Sequence, residues 1–300
     1  MELVVEKKRQ LVDFKRDINR ERRRLFVRRF FSNKLTVTGS VIIFLTLFLT
    51  FIGPLLTSYT PYEMVVTDRL QAPGGEHLLG TDNLGRDLFS RIVYGARASM
   101  GVGLSVAIIT SILGVIIGLY SAYYKLLDHI LMRICDGLMA FPAILLAIAL
   151  MAALGTNIEN VILALSAVFT PYVARVVRSS ALVVREQTYI EAMKAQGASS
   201  LRIIWGHIAP NTLSPLIVYA TFIFADTIII EAGLSFLGVG VPAPDPSWGN
   251  ILYDGKLVIF NAWWMTFFPG MAIILSVLGL NLFGDGLRDL LDPHTNRAKK

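Results

Sequence analysis

Two carboxylates, Asp136 and Asp226, stand at the edges of apolar stretches, where an acid is costly unless it is paired or put to use. Each has two readings: a structural role at the level of a membrane interface, or a site that couples an ion or a proton. Both lie near the ends of their apolar stretches, which favours the structural role. The other chemistry-bearing residues form no constellation. His77, His129, His207 and His294 are scattered and make no HExxH or comparable metal spacing. There is no GxSxG nucleophile elbow and no GxxxxGK[ST] loop to cradle the phosphates of ATP. TDNLGRD (residues 81–87) carries the acids of a calcium loop without the EF-hand spacing or its closing Glu. With Gly85 to turn the chain and Arg86 between two acids, a local ion-paired turn is expected there. Cys135 is the single cysteine, so no internal disulfide can form; it reads as a small packing residue. The sequence offers no catalytic centre, no cofactor site and no metal site.

The elements that carry these residues are set by apolarity. Hydrophobic residues make up 54% of the 300 and charged residues only 17%, against about a quarter charged in a soluble domain. A spanning helix needs about 20 mainly apolar residues. Stretches 35–60, 98–124, 137–158 and 262–284 carry no charge, and 213–230 carries one, Asp226. Stretch 161–174 is short and broken by Pro171. These are six expected spans in an all-α integral membrane protein, the fourth being the weakest. Gly114 and Gly118 form a GxxxG pair within the second span, a weak signal for close helix approach.

Lys and Arg orient the spans. With the N-terminus in the cytosol, 23 of the 28 basic residues fall on the inside and 5 on the outside. Both termini are therefore expected to be cytosolic. The basic cluster NRERRRLFVRRFFSNK (residues 19–34) reads as a topology anchor on anionic lipid, with Phe26, Val27, Phe30 and Phe31 dipping into the interface. No nucleic-acid docking module accompanies it, so nucleic acid is not an expected partner. The first span lies too far from Met1, and its apolar run is too long, for a cleavable signal peptide. The expected organisation is a cytosolic arm (1–34), a first span (35–60), an extracytoplasmic loop (61–95), a core (96–290) with a cytosolic loop at 175–210, and a cytosolic tail (291–300).

The cytosolic loop contains EAMKAQGASSLRIIWGHIAPN (residues 191–211), polar in an otherwise apolar chain. Thr188 and Glu191 have capping-box spacing, and Gly197 can end the resulting helix in a left-handed conformation. Ser199 or Ser200 can cap a second helix, on which Leu201, Ile204, Trp205 and Ile208 recur on one face. Pro210 is expected to end that helix and lead into the fifth span. Two readings stand: an amphipathic elbow resting on the membrane, or a protruding helix–turn–helix that docks into a groove on a cytosolic partner.

These residues resemble the EAA motif of permease subunits in binding-protein-dependent ABC importers. Glu191, Ala192, Gly197 and Pro210 match it in spacing; Met193 and Ala209 depart from it, and His207 stands where the peptide subfamily commonly has it. HLLGTDNLGRDLFSRIVYGARASM (residues 77–100), EAGLSFLGVGVPAPDPSWGNIL (231–252) and NLFGDGLRDLLDP (281–293) resemble signatures of the dipeptide/oligopeptide/nickel group. The lone span before a five-helix core is similar to the C-type subunit. The resemblance implies a non-catalytic permease, in a bacterial or archaeal cytoplasmic membrane, that imports short peptides by alternating access. It implies a homologous B-type permease, two cytosolic ATP-binding subunits docking at Glu191, Ala192, Gly197, His207 and Pro210, and an extracytoplasmic binding protein. The same machinery can import nickel or glutathione. A self-contained secondary transporter is the contrasting class, with Asp136 and Asp226 as coupling sites, but neither an inverted repeat nor a charged span centre supports it.

Overall fold

A backbone in lipid must satisfy its own hydrogen bonds, and helices do so locally. The computed structural model describes residues 14, 16, 18, 20, 21, 24, 25 and 27–291, and among these the chain is helical, with two isolated bridges and no strand. Much of the basic arm, Phe26 included, and the tail from residue 292 lie outside the described residues.

Helix α1 (Lys34–Leu56) starts at Asn33, whose Oδ1 accepts from the Leu35 and Thr36 amides at 2.9 and 3.2 Å. Helix α2 (Leu88–Tyr123) begins ten residues before the apolar stretch from which it was expected, because Asp87 caps it through the Ser90 amide at 2.7 Å. Its 36 residues span roughly 54 Å at 1.5 Å each, well beyond a hydrocarbon core of about 30 Å.

The third span departs from expectation. The sequence leads one to expect a single span over 137–158. Instead α3 (Lys125–Met139) and α4 (Ala143–Leu154) are bent by 93° at a break. Pro142 stands at the break, and a residue before proline disfavours the helical region. Asp128 and Asp136 on α3 bind Arg178 and Arg175 on the next helix, which holds α3 oblique.

That next helix, α5 (Ile158–Arg185), corrects the fourth span: it is continuous for 28 residues with Pro171 inside. Near the proline, Thr170 Oγ1 donates to the Ser166 carbonyl at 2.7 Å, the kind of side-chain bond that lets a spanning helix tolerate proline. Gly114 and Gly118 of α2 meet it closely. A β-carbon at Gly118 would lie 2.7 Å from the Ala174 carbonyl oxygen and 2.9 Å from the Arg178 amide nitrogen, so the weak GxxxG signal marks a real backbone approach.

A short helix α6 (Thr188–Ala195) leads into α7 (Ser200–Phe236), which is 37 residues long and passes through a π-helical turn at Ile204–Ile208. Helix α8 (Trp248–Lys256) lies in the loop that follows, with a complete capping box between Ser247 and Asn250. Helix α9 (Trp264–Leu291) closes the described chain. Thus α1, α2, α5, α7 and α9 are long and apolar enough to cross a membrane, and the bent α3–α4 pair makes a sixth candidate. One core runs from Met151, Val161 and Leu165 past Val173 and Val177 to Ile190, Ile203, Ile204 and Ile208. A second gathers around Trp248 and a third around Leu88, Trp264 and Met265, toward the opposite end of the bundle.

Candidate coupling elbow

The elbow joins α6, a left-handed turn and the start of α7. Its turn is a Schellman motif. The Gly197 amide donates to the Lys194 carbonyl and the Ala198 amide to the Met193 carbonyl, each at 3.0 Å, with Gly197 at φ +79°. The glycine terminator expected at this position is present. The capping box is not: the helix begins at Thr188 itself, Gln187 is its N-cap, and no side chain caps it. Glu191 is exposed on the first turn, where its charge favours the helix dipole without a specific bond.

The second helix also differs from the expected pattern. Ile203, Ile204 and Ile208 are fully buried, as is Ile190 of α6, while Leu201 and Trp205 are exposed. The π turn inserts an extra residue into the register, which rotates the inward face away from the regular i, i+3, i+4 set. Pro210 does not end the helix. It sits in the first turn of the regular segment after the π turn, where its missing amide is tolerated. The Ala209 amide bonds the Ile204 carbonyl across the π turn, and Asn211 Nδ2 covers the His207 carbonyl at 2.7 Å. His207 is half-buried, its ring 6.5 Å from that of Tyr189.

The elbow is tied to the bundle by more than its apolar face. Arg185 Nη1 donates to the Ala122 carbonyl at 2.6 Å, at the C-terminal end of α2 where a cation also meets the helix dipole. Arg185 pairs with exposed Glu186 at 2.7 Å, and that hydrogen bond holds the Glu186 carboxyl below its ordinary range. Lys194 Nζ lies 5.6 Å from the Tyr123 ring centre. The structure thus brings Glu191, Ala192 and Gly197 onto the exposed outer side of one elbow. Pro210 is exposed a turn or more into α7, and His207 is partly withdrawn.

The opposite end of the bundle holds polar groups that sequence reading only partly found. Asp82 and Arg86 form the expected ion-paired turn, Nε to Oδ2 at 2.6 Å, and the Asp82 carboxylate also accepts from the Leu84 and Arg86 amides. The pair is buried and extends further than expected, to Arg91 of α2 and to Asp254 of α8. Burial drives the Asp254 carboxyl above its ordinary range, against the pull of Arg91 and Arg86. His77 Nδ1 contacts Asp87 Oδ1 at 2.9 Å. Glu231, one residue past the fifth apolar stretch (213–230), is fully buried within α7 and accepts from Ser99 and Ser235 hydroxyls at 2.8 and 2.7 Å. The ExxxS spacing of Glu231 and Ser235 on one helical face was the available signal.

Comparison with known proteins agrees with this architecture. Residues 110–297 match the model of the binding-protein-dependent transport system inner membrane component, and residues 22–73 match the N-terminal TM domain of oligopeptide transport permease C. A putative peptide transport system permease protein of Brucella abortus biovar 1 (strain 9-941) is 50% identical over 269 residues, covering 90% of this chain and 91% of that protein. The dipeptide transport system permease protein of Alkalihalophilus pseudofirmus is 47% identical over 262 residues, covering 87% and 86%. A chain of the inward-facing MetNI methionine ABC transporter superposes with a TM-score of 0.57 at 20% identity, over 67% of this chain and 97% of that one, a likeness of fold. The chain belongs to the family of binding-protein-dependent transport system inner membrane components, on the side of the oligopeptide permease C proteins.

Proposed function

We propose that this chain is the C-type permease half of an ATP-driven importer of short peptides. It pairs with a homologous second permease in the cytoplasmic membrane of a bacterium or archaeon, with both termini in the cytosol. Two ATP-binding subunits dock on the cytosolic elbows, and an extracytoplasmic binding protein delivers the substrate. The peptide assignment is supported by the relatives' names, and the orientation by the 23-to-5 distribution of basic residues.

One observation carries the coupling role. The elbow presents Glu191, Ala192, Lys194 and Gln196 outward, while Ile190, Ile203, Ile204 and Ile208 lock its inner side into the bundle core. A surface resting on lipid would turn its apolar residues outward. Here Ile190, Ile203, Ile204 and Ile208 turn inward, and the outer side of α6 is mainly polar with Tyr189, Leu201 and Trp205 exposed beside it, a mixed surface that suits a protein groove. The Glu191 carboxylate makes no hydrogen bond or ion pair within the described residues, so it is available to a partner.

The test is reconstitution of the four membrane and ATPase subunits with the binding protein, in proteoliposomes loaded with ATP. Peptide uptake should require ATP hydrolysis. Glu191→Lys should leave thermal stability within about 0.5 kcal/mol, as for an unpartnered surface residue, and yet abolish co-purification of the ATP-binding subunits. Retained docking with normal uptake would sink the coupling assignment.

A further inference from the structure

Asp226 is the single charge in the apolar stretch 213–230. It was expected near the end of its span. The helix continues ten residues beyond it, to Phe236, because buried Glu231 is satisfied by serines and does not end the span. Asp226 is exposed in this chain, and its carboxylate has no hydrogen-bond or ion-pair partner among the described residues. It opens onto a recess of about 260 Å³ walled by Ala143, Phe169, Tyr172, Tyr219, Ile223 and Ile230. The phenol hydroxyls of Tyr172 and Tyr219 also lack hydrogen-bond partners among the described residues. Ala143 is the first residue of α4, so the recess lies beside the 93° break in the third span. Interrupted spanning helices recur at transporter binding sites.

A lone carboxylate on a spanning helix is disfavoured against lipid, so this face meets either water and substrate or another subunit. Three polar residues, Asp226, Tyr172 and Tyr219, lining one apolar-walled concavity are the make-up of a small-ligand site. Their chemistry selects a cation with protons to donate. The carboxylate supplies the opposite charge, the Tyr and Phe rings attract an ammonium through their faces, and the two phenol oxygens accept its remaining protons. A fixed side chain from the second permease is the competing occupant, but it would require a ridge to fill the hollow permanently, and transport would then lose the cavity.

We propose that this recess receives the α-ammonium of a peptide in transit, with Asp226 as counter-ion and Tyr172 and Tyr219 as oxygen acceptors. The inference rests on the peptide-import reading above. The experiment uses the complete reconstituted importer with trialanine and N-acetyl-trialanine, each at a concentration that saturates the binding protein. The wild-type importer should move trialanine at least tenfold faster than the acetylated peptide. Asp226→Asn should slow trialanine about tenfold or more, the loss expected for one charged hydrogen-bonded contact, and bring the ratio of the two rates near one. Asp226→Glu should retain most of the preference, and Tyr172→Phe and Tyr219→Phe should each lower trialanine uptake severalfold. Unchanged trialanine uptake in Asp226→Asn, or no preference in the wild type, overturns the inference. Loss of the second permease from purified Asp226→Asn complexes also overturns it, since the carboxylate would then be a subunit contact. A wild-type complex that imports neither peptide defeats the peptide-import reading first and this inference with it.

Discussion

Replacing Gly197 isolates the backbone of the elbow turn. A β-carbon added there meets nothing within 4 Å, so a clash contributes nothing. Gly197→Ala then suffers only the strain of an L-residue in the left-handed region at φ +79°, about 1 kcal/mol where nothing crowds the side chain. Leaving that conformation would forfeit both closing hydrogen bonds, Gly197 N to Lys194 O and Ala198 N to Met193 O, about 2 kcal/mol at roughly 1 each. The smaller loss wins, and alanine keeps the turn in a weakened form. Valine, stiff and β-branched, raises the strain past that limit and opens the turn. Asparagine, which tolerates the left-handed region, should cost only a few tenths of a kcal/mol. The expected order of stability is Gly, Asn, Ala, Val. Hydrogen exchange measured by mass spectrometry on the assembled importer in nanodiscs reads this directly. A loss of 1 kcal/mol in local opening speeds exchange about fivefold over residues 188–199, with α2 and α5 unchanged. An Asn variant exchanging as fast as the Val variant would refute the backbone account, and so would acceleration spread through α5.

Gly118→Leu should separate α2 from α5, since its β-carbon would meet the Ala174 and Arg178 backbone; the expected loss is about 1–3 kcal/mol by thermal unfolding in detergent. Gly137→Ala, in open space on α3, is the control and should be neutral or stabilising by up to about 1 kcal/mol. Asp82→Ala leaves Arg86 and Arg91, 4% and 2% exposed, with only Asp254 between them. Breaking such a buried network costs about 3–5 kcal/mol, so limited proteolysis of residues 57–87 should quicken by orders of magnitude. Asp136→Ala removes a pair whose side chains are about half exposed, 56% and 49%. It should cost under about 1 kcal/mol and leave the melting temperature within a few degrees.

Much of this was legible because lipid imposes simple rules on sequence. A nearly uncharged run of 20 residues has few fates, so four of the five long helices, α1, α2, α7 and α9, were visible, and the left-handed glycine was visible from a polar helix that had to end. What escaped depended on tertiary partners. Pro171 looked like a break because the sequence does not display the close α2–α5 packing around it, or the Thr170 bond beside it. The bend at Pro142 was not legible because an apolar run reads the same whether the helix is straight or bent. The capping box failed on a shift of one residue, with Thr188 inside the helix and Gln187 at the cap. Glu231 looked like the end of a span because a lone acid normally is one; the serines that satisfy it come from α2 and from its own helix.

The proposed coupling has a mechanical requirement: displacement of α6 has to reach the recess at Asp226. The 26 residue steps of α7 from Ser200 to Asp226 rise about 39 Å at 1.5 Å each, so one helix covers the distance. Its irregular points are Pro215 and, nearer the elbow, the π turn at Ile204–Ile208. Bending there would expose Ile190, Ile203, Ile204 and Ile208, all fully buried, at about 1.5–3 kcal/mol for each side chain. A load on α6 therefore moves the elbow, α5 and the start of α7 as one body before it bends them. The pair α3–α4 resists less. It is held to α5 partly by ion pairs, one of them half exposed, and it is already interrupted at Pro142. The compliant point of the bundle is then the break whose first α4 residue, Ala143, walls the recess. Movement driven from the elbow would be felt there as a change in the shape of the cavity around Asp226, which is where an alternating-access cycle needs substrate affinity to change.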